Sequence, residues 1–242
     1  MDIQHFEKLD LSEHGADRGG QPQTTDRRFY FQLQVYTACL DVKKVVDAVS
    51  ASGLEAVVYL DVNDPRGIGL LFMNENPEFF VKEARALLTT PPFTSLAPKP
   101  EMTMLGRTYA LGREQDLEDW MLKKFRRNAL NPNFPWAVWY PLRRKPEFAA
   151  LERPDQGKIL AEHGNLGRIY GDAGYAQDIR LNCFGIDTHD NEFVIGLVGP
   201  ELYPLSRLVQ DMRKTQQTIK FIQSLGPFFV GHKAWQSNLR EI

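Results

Sequence analysis

The sequence predicts an α+β fold in which two ferredoxin-like β-α-β-β-α-β repeats form a dimeric α+β barrel within one chain. Three observations predict it. Strand-like and helix-like segments run in the order β-α-β-β-α-β, and that order occurs twice. The two halves share a phrase, an apolar strand followed by proline and an amphipathic helix, at residues 69–88 and 195–212. No glycine-rich phosphate loop follows any strand, so a doubly wound nucleotide-binding sheet lacks its marker. Two such repeats bury their sheet faces against each other and carry their helices outside.

Residues 1–28 are rich in Asp, Glu, His, Gly and Gln and read as a polar, poorly ordered N-terminal tail. Residues 29–115 form the first repeat. Residues 29–39 (FYFQLQVYTAC) alternate and are rich in aromatic and β-branched side chains, a strand signal. Asp41 caps a helix whose Val42, Val45, Val46 and Val49 recur at helical spacing, and Ser52-Gly53 ends it. Residues 54–62 and 68–73 are strands joined by the turn cluster 63–67. Pro77 opens a helix that runs to Leu88, and residues 102–111 are the fourth strand. Residues 116–135 connect the repeats through an amphipathic helix at 116–127 and a break from Asn131 to Pro135. Residues 136–242 form the second repeat, with strands at 136–142, 178–186, 192–198 and 227–231 and helices at 155–170 and 202–222.

Composition narrows the function classes. Apolar residues make up 43% and charged residues 25% of the 242, which excludes disordered, collagenous and coiled-coil chains. Basic residues number 29 and acidic residues 31, a net charge of −2, so no nucleic-acid partner is expected. No run approaches the length of a membrane span. Cys39 and Cys183 are too few for a disulfide framework. With no export signal at the N-terminus, a cytoplasmic location is expected.

Three groups could carry chemistry. His5, His14, His189 and His232 fall in the tail, in a polar turn or after the last strand. His163 instead shares a helix face with Ile159, Leu160, Leu166 and Tyr170 and points at the apolar sheet. It is either a packed core histidine or a ligand. No second His or Cys stands at ligand spacing, so zinc is not expected. A single inward histidine suits haem iron, and Gly164 leaves room for a flat ring. Trp136, Val138 and Tyr140 share a strand face ahead of Pro141, Arg143, Arg144 and Lys145. This is either a core strand ending in a basic turn, or a tyrosine at a cavity rim beside cations that hold carboxylates. Asp178, Arg180 and Asn182 share a face of a central strand, as a structural ion pair or an acid/base pair above a bound iron. No Gly-x-Ser-x-Gly elbow exists, and Cys183 adjoins neither a histidine nor a helix start, so it reads as a buried structural cysteine.

The runs 163–170 (HGNLGRIY), 184–187 (FGID), 211–213 (DMR) and 226–231 (GPFFVG), in this order and spacing, resemble the chlorite dismutase-like haem protein family. Tyr140-Pro141-Leu142 with its following basic residues resembles the coproheme decarboxylase branch. The resemblance is good over residues 136–231, weaker over 109–127 and architectural before that. It implies haem in the C-terminal repeat and a homopentamer. It implies His163 as the iron ligand and Tyr140 as the radical-forming residue beside a propionate. It places Arg144, with Arg143 and Lys145, near the propionates, and Thr218 as a propionate-binding hydroxyl. Asp178 takes the distal position, with Arg180 or Gln177 as substitutes. The chain departs from the family at that distal position, in a short stretch between Tyr140 and His163 without the family's tryptophan pair, and in extra residues at 171–177. Those departures argue against chlorite breakdown. The implied function is a peroxide-dependent oxidoreductase that binds haem b or coproheme and converts coproheme to haem b by oxidative decarboxylation. The alternatives are a non-catalytic haem carrier or sensor, and a haem-free barrel in which His163 is only packed.

Overall fold

The computed structural model describes residues 9–241. Its first half contains β1 (Tyr30–Thr37), α1 (Val42–Ser52), β2 (Ala56–Asp61), β3 (Ile68–Asn74), α2 (Glu78–Val81), α3 (Glu83–Leu88) and β4 (Met104–Arg107). A π-helical stretch, Asp119–Lys124, runs into α4 (Phe125–Ala129) and connects the halves. The second half contains β5 (Trp136–Arg144), α5 (Pro146–Ala149), α6 (Arg153–Asp172), β6 (Gln177–Asn182), β7 (Phe193–Gly199), α7 (Leu202–Met212), β8 (Ile222–Leu225) and β9 (Phe229–Gln236).

The strands run β4-β1-β3-β2 in the first half and β9-β5-β7-β6 in the second. Both halves therefore place their four main strands in the same spatial order. Antiparallel pairing of β2 with β9 joins them on one side, and the Arg107–Asn182 pair of β4 and β6 closes the other. The result is the α+β barrel that the repeated element order predicts.

Alternation along β5 decides what faces where. Ala137 and Trp139 point into the barrel with Phe31, Leu71, Leu181 and Phe229. Gly196 on β7 makes room there, because a Cβ on it would sit 2.7 Å from the Trp139 ring. Val138 and Tyr140 point outward, under the helices of the second half. Over the first half, α1 is fixed by its ends. Asp41 accepts from the Lys44 amide at 3.2 Å, and Gly53 takes a left-handed φ of 67°. Its Val45 and Val49 bury completely on Val58, Leu70 and Phe72.

Several boundaries differ from the sequence expectation. The helix expected at 202–222 stops at Met212, because Thr215 Oγ1 donates to the Met212 carbonyl at 2.8 Å and competes with the next turn. A π turn (Gln217–Phe221) and β8 follow. The strand expected at 178–186 ends at Asn182, whose Oδ1 accepts from the Phe184 amide at 3.2 Å. The last strand extends to Gln236, since it bridges β5 and β2 and gains partners on both sides. The helix expected from Pro77 breaks at Lys82, with φ −110° and ψ −85°. β5 continues through Pro141 to Arg144. The Pro141 carbonyl accepts from the Gly226 amide at 2.9 Å, so its missing N–H faces the gap between β8 and β9, where no ladder bond is lost.

Met1 to Lys8 of the expected tail lie outside the described residues. The remainder, residues 9–28, is tied down. Glu13–His14 pair with Thr24–Thr25, and the Glu13 carboxylate accepts from Arg107 Nη1 at 3.1 Å and from the Ala110 amide at 2.9 Å. A buried bidentate pair fastens the connecting segment to the first half, with Arg126 donating to Glu55 at 2.7 and 2.6 Å. Among the described residues no helix is long and apolar enough to cross a membrane.

Candidate functional site

A cavity of about 880 Å³ lies between the outer sheet face of the second half and α6 and α7. Small-molecule sites commonly span about 300–1,000 Å³. The cavity exists because α6 stands off the sheet. None of its twenty residues is fully buried. Its Gly164 has no heavy atom within 4 Å of where a Cβ would be, so the helix surface there opens onto free space.

The sheet wall is set by register. Tyr140 on β5, Ile195 on β7 and Arg180 on β6 are paired across the sheet in one row. Val138, Leu197 and Asp178 form the next row, and Leu142, Phe193 and Asn182 the row on the other side. Strand spacing puts Tyr140 and Arg180 roughly 10 Å apart at the backbone, about two strand widths.

His163, half-buried on α6, lines the cavity. Its Nδ1 lies 3.2 Å from Thr215 Oγ1. The Thr215 proton is engaged with the Met212 carbonyl, so the hydroxyl accepts from His163 Nδ1–H. That tautomer leaves the Nε2 lone pair free. Burial lowers the His163 pKa, with the Arg180 charge acting in the same direction, so the ring is held neutral. A neutral, oriented imidazole is what a metal ion requires of a histidine ligand.

Tyr140 is 5% exposed and tilts against Phe228 at a centroid distance of 4.7 Å. The sequence expectation of a rim position is corrected. Because β5 runs on to Arg144, the phenol sits in the wall rather than at the mouth. Desolvation pushes its pKa far up, so it is protonated at neutral pH.

Tyr140, Leu142 and Arg144 share the cavity face. Arg144 donates from Nε to Glu192 at 2.8 Å and stacks on Phe148 and Phe193, both at 4.7 Å. Arg143 and Lys145 do not line the cavity. Alternation turns Arg143 to the other side, where it meets Asp190 at 3.2 Å and the His189 carbonyl. Lys145 lies beyond the strand and is exposed. Thr218 lines the cavity from the π turn, 3.4 Å from Thr215 Oγ1. Asp178 and Arg180 both face the cavity, and Arg180 Nε sits 2.7 Å from Asp178 Oδ2, off the axis of a hydrogen bond. Gln177 also lines it, but its amide donates to the Gly171 carbonyl at 3.2 Å. Cys183 is fully buried, and burial pushes its pKa up to about 12, which suits a structural thiol.

Sequence reasoning missed Thr215, Lys124 and Tyr109. Thr215 carries no motif, and only the broken helix brings it to His163. Lys124 follows Trp120 by four residues on the connecting helix, a spacing that placed both on one face. Tyr109 follows the short β4 and reaches the cavity beside Arg180 and Arg144.

The lining is apolar with a cationic edge, which fits a flat apolar ring bearing carboxylates. Arg113, Lys124, Arg144, Arg168, Arg180 and Arg213 face it, against Asp172 and Asp178. The free His163 Nε2 and the open surface at Gly164 complete the fit to an iron porphyrin.

Residues 82–234 match the family model described as Chlorite dismutase. The chain is 30% identical over 122 residues to a coproheme decarboxylase of Oceanobacillus iheyensis, covering 48% of this chain and 47% of that protein. It is 29% identical over 101 residues to a coproheme decarboxylase of Mycolicibacterium smegmatis, covering 41% of each. The matches thus span less than half the length of these curated relatives. Among solved structures, a haem-binding protein from Thermus thermophilus aligns with a TM-score of 0.68 at 15% identity, covering 86% of this chain and 91% of that one. The chlorite dismutase of Candidatus Nitrospira defluvii bound to imidazole aligns with a TM-score of 0.63 at 13% identity, covering 87% and 92%. At these identities the structural likeness bears on the fold.

Proposed function

This chain belongs to the chlorite dismutase family, and on that premise we propose that it is a haem-binding, peroxide-dependent oxidoreductase that converts coproheme to haem b by oxidative decarboxylation. The observation that carries the reading is one cavity lined by both His163, with a free Nε2, and the buried Tyr140. The partial matches to coproheme decarboxylases support it.

His163 Nε2 would hold the iron, with Thr215 Oγ1 keeping the proton on Nδ1. Arg144 and Thr218 would orient propionates at the cavity edge. The bound iron porphyrin supplies the peroxide and one-electron chemistry. Tyr140 holds its proton on Oη; it would give up that proton together with an electron to the oxidised iron porphyrin, and its phenoxyl would then take a hydrogen atom from a neighbouring propionate. The apolar helix and sheet walls keep water from that phenol. The same reading takes the protein as a cytoplasmic homopentamer. A stable 27.7 kDa species in sedimentation would overturn that assembly.

The test is a titration with haem b and with coproheme, followed at the Soret band, then addition of peroxide. Coproheme should bind and yield haem b with release of carbon dioxide. Tyr140→Phe should keep coproheme affinity within roughly threefold, about 0.6 kcal/mol, and stop product formation. Coproheme that binds but never yields haem b would overturn the decarboxylase reading. It would favour the second reading, a haem carrier. One observation leans that way: Asp178 and Arg180 neutralise each other, so that wall offers neither as a free proton donor.

A further inference from the structure

Lys124 ends the π-helical stretch Asp119–Lys124 and lines the cavity close to Asp178 and Arg180. π-helical turns are rare and concentrate at functional sites. Lys124 Nζ lies 4.3 Å from the centroid of the Trp120 ring. The Trp120 indole is itself fixed, donating from Nε1 to the Tyr109 carbonyl at 2.9 Å and meeting Phe125 edge-on at 5.2 Å. The Arg180 guanidinium lies 5.1 Å from the same indole. Among the described residues no carboxylate comes within ion-pair distance of Lys124. Its neighbours differ, since Lys123 pairs with Glu118 at 2.7 Å and Arg127 pairs with Asp119.

The charges facing Lys124 are Asp178 and Arg180 from β6 and Asp119 and Arg127 from its own helix. Desolvation lowers its pKa, the arginines act the same way, and the aspartates oppose them. Asp178 is already engaged by Arg180. An arginine has no lone pair to offer at any accessible pH. Lys124 is therefore the cavity cation that can shed its proton and take one back.

We propose that Lys124 is the proton-transfer residue of this cavity, taking a proton from peroxide as the free amine and returning it as the ammonium. The proposal rests on the haem reading above. In the first step the O–H bond of hydrogen peroxide breaks and the Nζ lone pair takes the proton, leaving HOO⁻. In the second the bound iron porphyrin would supply the two electrons that break the O–O bond and would retain the oxygen that carries no hydrogen. The departing oxygen, which carries one hydrogen, receives the Lys124 proton and leaves as water, and the amine is regenerated.

The test compares Lys124→Gln and Lys124→Arg in haem-loaded protein, with the Soret band of each showing that it folds and loads. Both variants should react with peroxide about a hundredfold more slowly than wild type or worse, the scale of a lost general base. Association of cyanide, which arrives as HCN and must lose its proton, should slow in parallel without any turnover. In the haem-free full-length protein, NMR titration of the ¹³C-methylated Lys124 amine should give a midpoint below the ordinary value of about 10.4. Rates within about twofold of wild type in Lys124→Gln would overturn the proposal. So would rescue by Lys124→Arg, which would mean that Lys124 holds a carboxylate, or an unlowered titration midpoint. A protein with no Soret band at all would remove the haem reading and this proposal together. The titration, which needs no haem, separates that outcome from a failure of Lys124 alone.

Discussion

The two halves of the barrel carry their main strands in the same order, yet their outer sheet faces are covered differently. Over the first half, α1 buries Val45 and Val49 completely against Val58, Leu70 and Phe72. Over the second, α6 buries no residue completely, and about 880 Å³ separates it and α7 from the sheet. Composition explains part of the contrast. α1 contains no glycine, whereas α6 contains Gly157, Gly164, Gly167 and Gly171. Each glycine inside a helix costs about 0.5–1 kcal/mol relative to alanine. Polar struts hold α6 in place instead. The Tyr170 hydroxyl donates to Asp211 at 2.9 Å, and Asp211 also accepts from Arg207 at 3.0 Å and Lys214 at 2.9 Å. The first half fills its sheet–helix interface with side chains, and the second leaves a cavity there.

The sharpest way to break this comparison is to truncate matching strand positions. Leu70→Ala on β3 should destabilise the protein by about 4 kcal/mol in denaturant unfolding, because Leu70 is fully buried in a closed interface. Ile195→Ala on β7, facing the cavity, should cost only about 1–2 kcal/mol, since part of that side chain already faces open space. Equal costs would show that the second half is as well packed as the first.

Loss of His163 comes next. His163→Ala should weaken porphyrin binding at least about a hundredfold, ~2.7 kcal/mol, and abolish the Fe–N(His) stretch in ferrous resonance Raman spectra. An unchanged spectrum would show that the open half binds through another residue. A smaller effect is expected one shell out. Thr215→Val removes the acceptor of His163 Nδ1–H and should lower porphyrin affinity about tenfold, with a shifted Fe–N(His) frequency. The smallest effect runs in the opposite direction. Gly164→Ala should stabilise the haem-free protein by about 0.5–1 kcal/mol, because the new methyl meets nothing. It should also weaken porphyrin binding. A variant more stable and equally tight would mean that the ring does not approach this part of α6.

By itself the sequence determined the element order, the two faces of β5 and the inward His163-Gly164 pair on α6. These depend on short-range periodicity and on turn and cap chemistry, which each segment carries alone. Alternation even contained the answer for Arg143, since Tyr140, Leu142 and Arg144 share the face opposite to it. Tertiary structure decided the rest. The helix expected at 202–222 breaks at Met212, and that break brings Thr215 to His163. Pro141 does not end β5, because the strands on that edge leave a gap for its missing donor, and Tyr140 is therefore enclosed. Asp178 and Arg180 find each other along β6, and Lys124 reaches the same wall from the segment that connects the two halves. None of these contacts follows from local pattern, because each depends on how distant segments are placed by register and packing. The cavity is the clearest case: it is space between elements, and no residue encodes it alone.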